Sequence, residues 1–199
     1  IPMILYTIGH SVYETDRFIS MLDTCGIRCI ADVRSIPYSR RNPQFNRETL
    51  KTDLQLHDIA YHYLGGLIGG RVDENEMLFP DGTVNYDLVR ASARFQRGIK
   101  RVLELASQSP SALMCAEKDP FNCHRFVLIG RALADKNVIA QHIIEPERIQ
   151  SQHDLENRLL EKYGLNSRQR GLFDPPASRK QRIQDAYVLR NRDIAYRKQ

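Results

Sequence analysis

The fold of this chain is decided by residues 27–33, which read Ile-Arg-Cys-Ile-Ala-Asp-Val and are followed by Arg34-Ser-Ile-Pro37. The run is nearly continuous in apolar residues, which is the pattern of a strand buried within a parallel sheet. Pro37 prevents regular structure soon after it, because proline lacks a backbone N–H. A strand that is covered on both faces needs helices on both sides of its sheet, so this stretch predicts an α/β domain.

Alternation of strand and helix patterns continues along the chain in both directions from this stretch. Four further strands are predicted from short apolar runs, at residues 4–9, 59–64, 111–115 and 138–144. Apolar residues at helical spacing predict the intervening helices. This order predicts a mostly parallel, doubly wound sheet of about five strands flanked by helices, with right-handed crossovers.

The pattern changes at about residue 150. We expect residues 1–150 to form the α/β domain and residues 151–199 to form a helical, basic C-terminal extension. A Ser151-x-x-Asp154 pattern predicts a capped helix at the start of this extension. The sequence Asp174-Pro175-Pro176 predicts a break before a final helix.

Positive charge is concentrated in the extension. From Gly164 onward there are nine Lys or Arg residues and three Asp residues, whereas the whole chain has a net charge of +5. The α/β part is therefore close to neutral. A basic segment attracts phosphate groups, so the extension could contact nucleic acid or could simply be well hydrated.

Composition also bounds the class of protein. The chain is 42% hydrophobic and 27% charged, which is enough for a packed core and excludes global disorder. We expect no membrane segment, since no apolar run approaches about 20 residues. The four cysteines are too sparse for a disulfide scaffold, so we expect a cytoplasmic protein. The oligomeric state stays open.

Reactive side chains follow the ends of the predicted strands. In open parallel sheets, ligands bind beyond the carboxyl ends of the strands. The candidates that come after the first, second and fourth strands are His10, Ser11, Arg34, Ser39, Cys115, Glu117, Cys123, His124 and Arg125. We therefore expect one pocket at this edge of the sheet.

The segment after the fourth strand is the richest in candidates. If Asn122 caps the next helix, Cys123, His124 and Arg125 occupy its first turn, where free N–H groups and the helix dipole favour anions. A thiol at that position has a lowered pKa. Glu117 is the obvious proton-transfer group in this segment.

These positions divide into two predicted roles. The catalytic candidates are His10 and Glu117, which would transfer protons, and Cys115 and Cys123, either of which could be a nucleophile. The candidates for anion binding are Ser11, Arg34, Ser39, His124 and Arg125.

Structural explanations for the same residues stay open. Cys115 could be a buried strand residue and Cys123 a packing residue. His10 could be hydrogen-bonded within its loop. Arg34 could form an ordinary salt bridge to Asp32 or Glu117.

Established motifs with defined spacing do not match. A phosphatase-type or rhodanese-type loop needs Cys-x5-Arg, but nine residues separate Cys115 from Arg125. A zinc site of Cys115, Cys123, His124 and His10 is conceivable, although no CxxC or HxxxH pair supports it. A redox pair of Cys115 and Cys123 is also conceivable. No Walker A motif or GxGxxG follows any strand, so no cofactor is strongly implied.

Taken together, these motifs resemble the DUF488 family of uncharacterised bacterial and archaeal proteins. The matching segments are Thr7-Ile8-Gly9-His10-Ser11, Asp32-Val33-Arg34 with Pro37 and Ser39, Tyr63-Leu64-Gly65-Gly66, and Cys115-Ala116-Glu117 with Cys123-His124-Arg125. The resemblance implies an α/β fold and a pocket built from these motifs, and it implies no established activity.

The functional expectation is accordingly broad. We expect an enzyme, of hydrolase or transferase type, that acts on an anionic substrate that is phosphate-bearing, nucleotide-like or part of a nucleic acid. The first alternative is a non-catalytic module that binds nucleic acid or a nucleotide. The second alternative is a metal-binding or redox thiol protein.

Overall fold

The computed structural model describes residues 3–166 and 177–198, and shows one mostly parallel six-stranded sheet in the order β3-β2-β4-β1-β5-β6. The strands are β1 (Met3–Gly9), β2 (Cys29–Asp32), β3 (Ala60–Tyr63), β4 (Ser111–Cys115), β5 (Val138–Glu145) and β6 (Arg148–Ser151). The first five run parallel, and β6 pairs antiparallel with β5. The predicted break at Asp174-Pro175-Pro176 lies outside the described residues.

Helices cover both faces of the sheet. They are α1 (Thr15–Thr24), α2 (Arg47–Leu56), α3 (Gly65–Ile68), α4 (Tyr86–Ala91), α5 (Ala93–Gln108), α6 (Arg131–Ala134), α7 (Gln152–Lys162) and α8 (Arg179–Ile194). Short 3-10 turns span Pro43–Phe45, Asn75–Met77 and Pro120–Asn122. A π-helical segment, Arg125–Gly130, runs directly into α6. Every helix among the described residues is too short or too polar to span a bilayer.

The predicted α/β class and mostly parallel sheet are confirmed, and the sheet gains a sixth strand. The predicted strand at residues 27–33 is shorter, Cys29–Asp32, and all four of its residues are buried. The capping box at Ser151 and Asp154 is present at the start of α7. Sequence patterns missed β6 because it is a short edge strand, half-buried or exposed and without apolar alternation.

Alternation along the central strands gives the sheet a core on each face. In β4, Ala112 and Met114 pack with the apolar residues of α1 and α2, whereas Leu113 and Cys115 face the cluster formed with α5 and α8. All are buried, and a fully buried large apolar side chain contributes about 1.5–3 kcal/mol. Cys115 therefore ends its strand on the side of the sheet that α8 covers.

Strand order places a crevice at the ends of β1 and β4. The chain leaves β1 towards β2 on one side and leaves β4 towards β5 on the other. Backbone bonds continue the pairing past the strands, since His10 N donates to Cys115 O and Ser11 N donates to Ala116 O, both at 2.9 Å. Reversal of direction at a pair of parallel strands creates the crevice in which ligands bind.

The described part of the C-terminal extension packs onto the same core. Ala186 and Tyr187 of α8 are buried in the cluster on that face of the sheet. The Asn191 side chain accepts a hydrogen bond from Tyr86 N at 2.8 Å and donates one to Val84 O at 2.7 Å. These contacts attach α8 to the segment that starts α4.

Candidate functional site

A cavity of about 280 Å³ lies at the carboxyl ends of β2 and β4, one strand away from the β1–β4 crevice that the strand order creates. Five of the nine predicted site residues line it, and they are Arg34, Cys115, Glu117, Cys123 and His124. The other four, His10, Ser11, Ser39 and Arg125, lie outside the lining that the described residues form.

The centre of the site is a cluster of two thiols, an imidazole and a carboxyl group. Cys115 Sγ donates to Glu117 Oε2 at 3.0 Å. His124 Nδ1 lies 3.8 Å from Cys115 Sγ and 3.7 Å from Cys123 Sγ. The other ring nitrogen, Nε2, lies 3.1 Å from the carbonyl oxygen of Val33, which can only accept. The His124 ring is thereby oriented with Nδ1 towards both sulfur atoms.

Electrostatic interactions within the cluster shift the pKa values of the two thiols in opposite directions. Burial raises the pKa of Cys123, but the hydrogen bond with Cys115 and the positive charges of Arg125 and His124 more than offset it, so this pKa falls well below its usual value. The pKa of Cys115 is raised by its hydrogen bond with Cys123 and by burial. Proton loss therefore occurs first at Cys123.

The two other titratable groups of the cluster are shifted upwards. Burial raises the pKa of Glu117, and the negative charge of Cys123 adds to the shift. Burial lowers the pKa of His124, but the neighbouring Cys123 thiolate more than compensates and the net shift is upwards.

The helix after β4 begins one residue later than the sequence predicts, so the expectation that Asn122 caps it is wrong. Cys123 is extended, with φ −132° and ψ 145°, and helical backbone begins at His124. The Cys123 Sγ accepts from the backbone N–H of Arg125 at 3.5 Å. Asn122 is instead the last residue of a 3-10 turn, and its side chain accepts from Arg190 of α8. Cys123 therefore occupies the capping position itself.

The Arg125 side chain makes its hydrogen bonds inside the protein, to backbone carbonyl groups. Its side chain is fully buried, with Nη1 donating to Glu117 O and Nη2 donating to Lys118 O at 2.8 Å. Arg125 therefore fastens the loop after β4 to the start of the following helix. The position of this loop also explains why residue 9 is a glycine, because a Cβ at Gly9 would lie 1.8 Å from the same Glu117 carbonyl oxygen.

Arg34 and His10 form a second buried group next to the cavity. Arg34 makes an ion pair with Asp32, with Nη2–Oδ2 at 2.6 Å, and its Nη1 donates to His10 Nε2 at 3.1 Å. His10 Nδ1 then donates to Ser11 O at 2.9 Å. Burial and the Arg34 charge lower the pKa of His10 to about 4, so its ring is neutral near pH 7. Both nitrogens of His10 thus have partners within the protein.

The two serines shape loops in this structure. Ser11 has a positive φ of 50° immediately after β1. Ser39 Oγ accepts from the backbone N–H groups of Arg41 and Asn42, each at 3.2 Å. These contacts stabilise the proline-containing loop that follows β2.

Nine lining residues were not among the predicted site residues, and those with large side chains from outside the predicted motifs are Arg71, Tyr86, Ile194 and Tyr196. The Arg71 guanidinium lies 5.3 Å from the ring centroid of Tyr196, and it has no carboxylate partner among residues 3–166 and 177–198. The signal for Arg71 was its place after a glycine-rich loop at a strand end. No motif marks Ile194 or Tyr196, which reach the cavity only because α8 folds back onto the core.

The basic residues of the extension are largely engaged within the protein. Arg182 is buried and donates to Leu165 O and Asn166 O, both at 2.7 Å. Arg190 is buried and donates to Phe121 O at 3.1 Å. Arg168 and Arg170 lie outside the described residues.

Comparison with known families identifies the chain. A family model described as a domain of unknown function, DUF488, matches residues 14–132, which is more than half of the sequence. The chain belongs to the DUF488 family. The matched segment contains the whole thiol, imidazole and carboxyl cluster, whereas the wall formed by Ile194 and Tyr196 lies outside it. No curated protein and no solved structure shows a significant match to this DUF488 chain.

Proposed function

We propose that this DUF488 chain is an enzyme that acts on a small anionic substrate in the cavity beside β2 and β4. One observation supports the proposal most strongly. The cavity combines Arg71, a cation without a carboxylate partner among the described residues, with a polar cluster that contains Glu117. Arg71 binds the anionic group, and Glu117 transfers protons at the reacting group.

The size of the cavity supports a small substrate. Pockets that enclose organic ligands usually have volumes of about 300–1,000 Å³, so a cavity of about 280 Å³ suits a ligand no larger than a nucleotide. This volume favours a metabolite-sized phosphate or carboxylate compound over a strand of nucleic acid.

Anion binding can be tested with inorganic phosphate as the probe, by titration calorimetry at low salt. Arg71→Ala removes this guanidinium and should weaken binding by about tenfold or more, since hydrogen bonds to charged groups contribute about 1.5–3 kcal/mol. Arg148→Ala is the matched control, because it removes an exposed arginine from β6 at the far edge of the sheet. Equal affinities of wild type and Arg71→Ala would show that the cavity has no anion site of this kind.

Catalysis is tested separately with a panel of chromogenic nitrophenyl phosphates and carboxylic esters. Glu117→Gln keeps the shape of the side chain but removes its proton-transfer capacity, so it should abolish turnover and leave phosphate binding unchanged. A Glu117→Gln protein that turns over the same substrates at the wild-type rate would contradict the role of Glu117.

The nucleic-acid alternative has a different signature. If residues 177–198 contributed to binding RNA or DNA, the affinity would fall steeply with salt. Internal engagement of Arg182 and Arg190 lowers the number of charges that remain for phosphates. We therefore favour the enzyme.

A further inference from the structure

Cys115, Cys123 and His124 bring three metal-ligating atoms together at the base of the cavity. The two Sγ atoms and His124 Nδ1 all lie within 4.8 Å of one another. Both cysteines are free thiols, and both are almost fully buried. The Glu117 carboxyl lies beside this set, at 3.0 Å from Cys115 Sγ, and is not part of it.

Both nitrogen-to-sulfur separations are close to those of a tetrahedral zinc site. Zinc binds thiolate sulfur at about 2.3 Å and imidazole nitrogen at about 2.0 Å, which places tetrahedral ligand atoms about 3.5–3.8 Å apart. His124 Nδ1 lies 3.8 Å and 3.7 Å from the two sulfur atoms. The two sulfur atoms also lie within 4.8 Å of each other, so side-chain rotation can bring all three atoms to one ion.

The imidazole is held in the orientation that a metal ligand requires. Metal-binding histidines usually donate their other ring N–H to a carboxylate or a backbone carbonyl, which fixes the tautomer and the ring. His124 makes this contact through Nε2 to Val33 O. Gly70 packs against the ring, where a Cβ would lie 2.9 Å from His124 Cγ. Both contacts hold Nδ1 towards the thiols.

The two ligand segments are also tied to each other. Arg125 adjoins Cys123 and His124, and its guanidinium binds the carbonyl oxygens of Glu117 and Lys118 in the loop that follows Cys115. This buried link fixes the distance between the strand that carries one ligand and the helix start that carries the other two. Preorganised ligands of this kind favour tight metal binding.

We propose that Cys115, Cys123 and His124 bind one zinc ion, with the fourth coordination position open to the cavity. Two sulfur ligands and one nitrogen ligand select a thiophilic ion of this class. Three protein ligands and an open position are the arrangement of catalytic zinc sites, in which the ion activates water or polarises a substrate oxygen. Zinc binding itself does not depend on the proposed function, although its use in catalysis would.

The test uses the full-length protein, reduced with a phosphine and stripped of metal with EDTA before buffer exchange. Zn²⁺ is titrated in competition with a chromophoric chelator, and Co²⁺ is added in a parallel experiment. We expect one equivalent of Zn²⁺ per chain and thiolate-to-cobalt charge-transfer absorption in the near ultraviolet. Cys115→Ser, Cys123→Ser and His124→Ala should each weaken binding by at least about 100-fold, because even residues that only support a ligand change affinity by about 10–100-fold.

Cys29→Ser is the matched control. The Cys29 thiol is equally buried on the neighbouring strand β2 but is not a proposed ligand, so this variant should bind zinc as the wild type does. An equal loss of zinc in Cys29→Ser, or wild type without the cobalt absorption, would overturn the proposal. The cobalt measurement uses only the wild-type protein, so it tests the zinc site even if a ligand variant fails to fold. Phosphate binding without zinc binding, together with alkylation of Cys123 by iodoacetamide, would remove the zinc site and favour a cysteine nucleophile. Zinc binding without phosphate binding would remove the proposed function and leave the zinc site.

Discussion

Removing the Asp32 carboxylate should destabilise the protein more than removing any exposed acid. Asp32 is fully buried and accepts hydrogen bonds from the Arg34 guanidinium, the Arg34 backbone N–H and the Tyr61 hydroxyl, the last at 2.6 Å. Asp32→Ala leaves the almost fully buried Arg34 without its counter-charge, which costs about 3–5 kcal/mol. In a chain of this size each kcal/mol lowers Tm by about 2–4 °C, so we expect Tm to fall by about 6–20 °C.

The measurements are thermal unfolding for Tm and urea unfolding for the free energy, both followed by circular dichroism, with the urea slope m checked for constancy. Asp23→Ala breaks the exposed pair with Arg28 and should cost no more than about 1 kcal/mol. The double variant Asp32→Leu with Arg34→Met removes both charges and should recover most of the loss. The reasoning fails if Asp32→Ala is no less stable than Asp23→Ala, or if the double variant is as unstable as the sum of its parts.

Two further predictions concern backbone contact and pH. Gly9→Ala places a Cβ 1.8 Å from a backbone oxygen of Glu117 and should cost about 3 kcal/mol or more, whereas Gly66→Ala, with open space around it, should be close to wild type in the same unfolding assay. Burial lowers the pKa of His142 to about 3, so the unfolded state binds an extra proton below about pH 6.5 and stability is lost as the pH falls. Between pH 6.5 and 5 the free energy of unfolding should fall by about 2 kcal/mol because of His142. His142→Asn should remove this pH dependence, whereas His57→Asn, at an exposed histidine, should keep it. Identical pH slopes in the two variants would contradict the prediction.

Sequence patterns placed Cys115, Cys123 and His124 at one edge of the sheet because all three lie in the segment that links β4 to the following helix. Cys115 ends a parallel strand, Cys123 caps the next helix and His124 begins it, so the same edge of the sheet holds all three. The patterns could not show which charged side chains form hydrogen bonds or ion pairs inside the protein. The carbonyl oxygens that bind Arg125 are present in every residue, and nothing in a sequence marks one as an acceptor.

Residues far apart in the chain were the main omission. Tyr196 reaches the cavity through the packing of α8, and Arg71 is significant because it lies over that ring. Local periodicity describes only neighbours along the chain, so it predicted a helical extension without its docking position. The edge strand β6 was missed for a similar reason, since its half-exposed residues carry no apolar pattern.

Docking of α8 also means that the parts of the cavity wall are synthesised at different times. Residues 186–196 are synthesised after the last strand, which ends at Ser151. At translation rates of about 5–20 residues per second, the ribosome takes about 2–9 s to reach Tyr196 from that point. All six strands and the thiol cluster are therefore synthesised seconds before Ile194 and Tyr196, which line the cavity. Until residue 196 has been added, the cavity lacks the side of its lining that Ile194 and Tyr196 form.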